Sequence, residues 1–340
     1  MRKLLNTLYI TTDMYVNKDG TNIVLTKDHE EVFRIPVHNL EGVVCCGYMP
    51  MTPAVMRLCV ENQVSVSFID INGRFLARVS GGVKGNVLLR RTQYRVADDA
   101  VKSNEIARFI LKAKFVNCRN VLRRGLSDHE DVADDLFKES IEKINSAIKS
   151  IDLCPSNDEL RGVEGNTARI YFSAFDALIL KQRQDFFMRE RTRRPPLDNM
   201  NALLSFLYTM LANDVQSSLE MVGLDPYVGF LHTDRPGRAS LALDIMEELR
   251  PFMADRLALN LVNLNMISGP GFDTNGMGVM MNDDTRKTVI NAWQKRKQET
   301  ITHPYIHEKI EIGLIPYVQA LLMSRYLRGD IGGYPPFFST

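Results

Sequence analysis

Alternation of apolar and polar residues dominates the chain as far as about residue 95, and a period of two is what a half-buried strand requires. Leu8-Tyr9-Ile10-Thr11-Thr12 is β-branched and aromatic, and Tyr15-Val16 and Ile23-Val24-Leu25 flank Asp19-Gly20, a hairpin signal. Val32 to Val37 and Leu40 to Val44 continue the pattern. Pro53 to Val60 predicts one short helix with proline in its first turn. Val64 to Asp70 alternates again, and Asn72-Gly73 turns it into Phe75 to Val79. Ser80-Gly81-Gly82-Val83-Lys84-Gly85-Asn86 then breaks the pattern; a linker fits it better than a phosphate cradle, because no helix with a Lys-Ser/Thr start follows.

From about residue 100 the period lengthens to that of a helix. Ile106, Ile110 and Ala113 share one face, as do Leu136, Ile141, Ile144 and Ile148. Leu178 to Leu180, Leu203 to Leu207 and Val318 to Leu327 are read as further helices, and the glycines from Ser268 to Gly278 as a loop. The expectation is an α+β chain: an N-terminal β-sheet domain with one short helix over residues 1–85, a linker over 86–100, and a larger all-α catalytic domain over 101–340. With 340 residues, 45% apolar and 24% charged, the composition suits a soluble globular protein of two domains. A net charge of +1 gives no general basic character, so any anion binding must come from local clustering. Cys45, Cys46, Cys59, Cys118 and Cys154 form no CxxC pair and read as buried thiols. No signal-length apolar run follows the basic start and none reaches membrane-span length, so a cytoplasmic chain with no membrane contact is expected.

The chemistry concentrates in Gly229-Phe230-Leu231-His232-Thr233-Asp234-Arg235-Pro236-Gly237-Arg238 and the helical pattern after it, which carries Asp244, Glu247 and Glu248. Spacings of three and four allow these carboxylates to share a helix face. A histidine with clustered carboxylates suits a hard divalent cation, and Arg235 and Arg238 suit an anionic oxygen substrate such as phosphate. The plainer reading is a solvated acidic face, but Leu241, Leu243, Ile245 and Met246 surround Asp244, and an acid held among them needs a partner. Upstream, Glu164 lies between two glycines at an expected helix start, where it would serve a helix dipole or face a ligand. Arg189, Arg191, Arg193 and Arg194 precede Pro195-Pro196, expected to stop a helix and fan the arginines out, either into solvent or onto phosphates. Arg90-Arg91 and Lys295-Arg296-Lys297 read as solvated faces, with phosphate contact as the lesser alternative.

These segments together resemble the CRISPR-associated spacer-acquisition integrase family (Cas-one), in its type I-C branch, essentially end to end. The resemblance is carried by Leu4-Leu5-Asn6-Thr7-Leu8-Tyr9, the run from Gly85 to Arg95, Arg193-Arg194-Pro195-Pro196-Leu197-Asp198-Asn199, Asn201 to Phe206, Asp225-Pro226-Tyr227-Val228-Gly229-Phe230-Leu231-His232 and Tyr334-Pro335-Pro336-Phe337. It implies a β domain that joins a homodimer, a helical catalytic domain, and a small ferredoxin-like partner (Cas-two) bridging two dimers. It also implies a divalent metal, magnesium or manganese, held by a glutamate, a histidine and a later acid. The motif matches put these at Glu164, His232 and Glu247, with Asp244 as a substitute or supporting acid. The implied activity joins the 3′-hydroxyl ends of short duplex DNA into a CRISPR repeat by transesterification, and with water as nucleophile cuts duplex or branched DNA. Arg193, Arg194, Arg235 and Arg238 would contact the DNA backbone. A repair-type nuclease and a DNA-binding scaffold are the alternatives.

Overall fold

The computed structural model describes residues 6–70, 75–79, 81, 86–128, 134–276 and 278–339. The Asn72-Gly73 turn, most of the glycine-rich break and the Leu4-Leu5 opening lie outside the described residues.

The early alternation folds into two sheets. β2 (Tyr15–Asp19), β3 (Asn22–Lys27) and β4 (Glu30–Pro36) form an antiparallel meander, with Gly20 at φ 57° in the first turn, where a side chain would be strained. β1 (Thr7–Ile10), β5 (Gly42–Cys46) and β6 (Ser65–Ile69) pair in parallel, and β7 (Phe75–Val79) closes the sheet antiparallel to β6. Parallel neighbours need a crossover, which α1 (Pro53–Glu61) supplies between β5 and β6; Pro53 opens it, as expected, and Thr52 caps it. On β5, Val43 and Cys45 enter the core beneath α1, whereas Val44 and Cys46 join the core of the helical region. The period of two thus makes one strand serve two cores.

The helical region begins at α2 (Val87–Asp98), inside the stretch expected as linker. It continues through α3 (Ala100–Asp128), α4 (Asp134–Ser150) and α5 (Asn157–Phe175), which Ser156 caps. α6 (Asn199–Val222) starts at an Asp198 cap and ends at Gly223. α7 (Ser240–Arg250) runs into a π-helical turn over Pro251–Asp255 before α8 (Arg256–Asn263). Pro251 explains the wide turn, since it has no N–H to donate and its ring crowds the preceding turn. Two hairpins interrupt the helices: β8 (Phe272–Asn275) with β9 (Gly278–Met281), then, after α9 (Asp283–Gln298), β10 (Thr300–Thr302) with β11 (Lys309–Glu311). α10 (Ile315–Leu327) follows. The region is helical in the main, as expected, but the 268–278 stretch is not simply a loop. Leu178 ends a short 3-10 turn and Ile179 and Leu180 are not helical. The five cysteines are free and buried, in keeping with the thiol reading.

A polar seam joins the two regions. Arg78 of β7 reaches Glu220 on α6 at 3.0 Å and Gln294 of α9 donates to the Thr7 carbonyl at 2.7 Å; within the helical region, Lys297 of α9 reaches Asp214 on α6 at 3.0 Å. Among the described residues no helix is long and apolar enough to cross a membrane.

Candidate metal centre

α3, α5, α7 and the loop before α7 meet at one group of charged side chains. The loop is drawn against α7 because Gly229 has no side chain: a Cβ there would stand 2.7 Å from Asp244 Oδ2 and 2.8 Å from the Ser240 backbone. The first free N–H groups of α7, on Leu241 and Ala242, donate to the Pro226 carbonyl at 3.0 and 3.3 Å. Three other elements hold the loop from behind. Gln93 of α2 donates to the carbonyls of Asp225 and Val228 and accepts from the Asp225 N–H; Ser103 of α3 and Asn157 of α5 donate to the Phe230 carbonyl; Arg161 of α5 donates to that of Leu231.

Asp244 is fully buried, and its partners are on this loop. Its Oδ2 accepts from the Phe230 and Leu231 N–H groups at 2.6 and 3.0 Å, and its Oδ1 accepts from the His232 N–H at 3.0 Å and meets His232 Nδ1 at 2.6 Å. Both oxygens are engaged. A carboxylate at Nδ1 calls for the proton there, which leaves Nε2 with its lone pair free to bind a metal. The acid that the apolar neighbours of Asp244 flagged as needing a partner has found one in backbone amides and an imidazole.

One turn along, Glu247 is 3% exposed and sits between two cations. Arg250 NH1 lies 2.7 Å from its Oε1 and Lys114 Nζ lies 2.8 Å from its Oε2. Lys114, on α3, also pairs with the Glu164 carboxylate, so Glu164 and Glu247 converge on one ammonium. Burial pulls the Glu247 carboxyl upward, but Arg250, then Lys114 and His232, more than offset it and hold the group at about 2. The same acids keep Lys114 above its ordinary value against the opposing effect of its burial. Arg250 is stacked 4.9 Å from the Tyr208 ring centre, which fixes its direction.

Glu164 lies well inside α5, so the helix-dipole account of this residue does not apply. Its neighbours Gly162 and Gly165 leave open space where side chains would stand. Its side chain and that of His232 are 25% and 24% exposed, so the group opens to solvent on that side. Glu248 is not part of it: its carboxylate turns to Tyr334, Gln319 and the Phe337 N–H, and burial raises it to about 7. Arg235 is exposed and Arg238 half-buried; burial lowers Arg238, and Arg235 and Arg161 lower it further, so three guanidiniums lie near one another. Arg193 and Arg194 are exposed, in irregular backbone rather than at a helix end. Arg191 differs from its neighbours in the run, donating to Asn201 and Ser205 and lying over Tyr208, so it is a packing residue.

The donor set suits a hard divalent cation: two carboxylates aimed at one point and an imidazole whose far nitrogen is free. As they stand, no three His, Cys, Asp or Glu side chains among the described residues form a cage for one, and Lys114 pairs with both Glu164 and Glu247. The sequence reading missed Lys114. Its signal was a lysine on the apolar stripe of α3, in step with Ala107, Ile110, Leu111 and Cys118, where a cation needs an anionic partner.

A family model described as CRISPR associated protein Cas1 matches residues 8–295. The chain is 45% identical over 340 residues to a CRISPR-associated endonuclease Cas1 of Chlorobaculum tepidum, covering 99% of both chains. A casposase bound to integration product has a similar fold, with a TM-score of 0.84 at 21% identity over 99% of this chain and 94% of that one. The Cas6-RT-Cas1–Cas2 complex contains another, with a TM-score of 0.83 at 22% identity over 98% of this chain and 36% of that one.

Proposed function

This chain belongs to the CRISPR-associated Cas1 family, and we propose that it is a metal-dependent DNA endonuclease and integrase that inserts short duplexes into a CRISPR array. The observation that carries the reading is the convergence of Glu164 and Glu247 on one cation beside a histidine with a free Nε2. Glu164, His232 and Glu247 would hold the ion, magnesium or manganese. A divalent cation bound there would draw charge from the scissile phosphate and from the attacking and leaving oxygens. Asp244 acts through His232, fixing its ring and its tautomer. Arg250 keeps Glu247 ionised and aimed. Arg235 and Arg238 supply charge for a phosphate next to the ion, and Arg193 and Arg194 for the backbone further out. The nucleophile is the 3′-hydroxyl of the incoming strand, so no covalent enzyme intermediate is needed; water in its place cuts duplex or branched DNA instead.

In this reading the chain divides into a β domain over residues 1–85 and a catalytic domain over 101–340, and the stretch 86–100, expected as a linker, is largely α2, whose Gln93 holds the loop before α7. The β domains join a homodimer, and a Cas2 protein bridges two dimers. A chain that inserts DNA into the chromosome works in the cytoplasm. The test is an integration assay with a 3′-hydroxyl duplex and a supercoiled repeat-bearing plasmid, with and without the Cas2 partner. Strand transfer that requires the partner supports the proposal. Cutting alone would make the chain a structure-selective nuclease, and binding alone a scaffold.

A further inference from the structure

Lys114 pairs with both carboxylates that would hold a divalent ion. Its ammonium pairs with Glu164 and lies 2.8 Å from Glu247 Oε2, and its side chain is 8% exposed. An ion using those same oxygens would press against the ammonium, and like charges held in one poorly solvated site repel strongly. Arg250 cannot yield in its place, because it is stacked on Tyr208 and contacts both oxygens of Glu247. Lys114 can, since it has a flexible four-carbon stem and a compact head. It also lines a cavity of about 20 Å³ walled by Thr167, Tyr171, Arg193 and Asp255, space for a group the size of a water molecule.

Building on the proposed metal centre, we infer that Lys114 is a resident counter-cation that the metal must displace: loading the site exchanges an ammonium for a divalent ion between Glu164 and Glu247. The lysine keeps the two acids aimed at one point before the metal arrives and opposes its binding. The exchange sets the metal affinity, which a lysine that merely packed the core would leave alone.

The test is calorimetric titration of the full chain with Mn²⁺ alone, without DNA. Lys114→Met preserves length and removes the competing charge, and should bind Mn²⁺ tighter by roughly tenfold or more. Lys114→Arg keeps the charge and grips the carboxylates through more donors, and should bind Mn²⁺ more weakly by a similar factor. Unchanged or weaker binding by Lys114→Met, with a cooperative melt, overturns the inference. Should that variant not fold, Lys114→Arg decides, and affinity equal to or above that of the unaltered chain overturns it. Failure of the metal centre itself is read separately: Glu164→Gln and His232→Ala would then bind Mn²⁺ as well as the unaltered chain.

Discussion

Three acids within five residues of α7 have three different surroundings. Asp244 is satisfied by backbone amides and an imidazole, Glu247 by two cations, and Glu248 by a tyrosine, a glutamine and the C-terminal segment. Spacing suggested one shared face; which neighbour each acid meets depends on elements far along the chain and could not be read from spacing. Asp244→Asn puts a donor where only donors arrive, so it should destabilise the fold by about 2 kcal/mol and weaken metal binding by roughly 10- to 100-fold, measured by denaturant melts and titration. Glu248 makes a prediction about pH. Its carboxyl is raised from 4.5 to about 7 by burial, so the folded chain holds this proton more tightly than the unfolded chain. The contribution of Glu248 to stability therefore falls as pH rises between those two values, and its full cost is present above the higher one. Glu248→Gln removes that dependence. The stability difference between variant and unaltered chain should shift in favour of the variant by up to about 3 kcal/mol from pH 4.5 to 8. A difference that is flat across this range would mean the carboxyl is not raised.

At the scale of elements, the loop from Asp225 to His232 is the part most completely specified by local chemistry. Gly229 permits the approach to α7, and Gln93, Ser103, Asn157 and Arg161 hold the loop's carbonyls. Gly229→Ala should push the loop from Asp244 and cost about 2 kcal/mol or more, with loss of metal binding, as thermal melts and titration would read. The sequence made the His232 motif and the α7 periodicity legible, but not Lys114, whose role exists only once α3 is laid against α5 and α7. The β8–β9 and β10–β11 hairpins were also hidden, because strands of three or four residues are too short for a period to register. The arginine run was legible as charge but not as geometry, since Arg191 packs, Arg194 is exposed, and Arg193 is exposed yet also lines the cavity beside Lys114. If Arg193 and Arg194 contact DNA phosphates, replacing both with alanine should reduce the slope of log affinity against log salt by about 2, equally for unrelated sequences. Fluorescence anisotropy from low to moderate salt measures this, and an unchanged slope removes the corner from the DNA path.

The two-part architecture of the whole molecule was legible because the period changes from two to that of a helix along the chain. What the sequence did not carry was the seam, where Arg78 and Gln294 tie the strands to the helices. The β2–β3–β4 meander keeps Tyr15, Val32 and Phe33 exposed at 45%, 53% and 42%. If the β domains join a homodimer there, Val32→Glu with Phe33→Glu should yield monomers by light scattering while the metal affinity of each chain stays the same. The central claim is that Glu164, His232 and Glu247 hold one catalytic ion. It is tested most directly by assaying cleavage of branched DNA and joining of a 3′-hydroxyl duplex over a range of Mn²⁺ concentrations, using the unaltered chain, Glu164→Ala and His232→Ala, with DNA binding as the control for folding. The predicted result is metal-dependent cutting and joining by the unaltered chain and, in both variants, losses of a hundredfold or more at every metal concentration with DNA binding retained. Full activity in either variant would contradict the account.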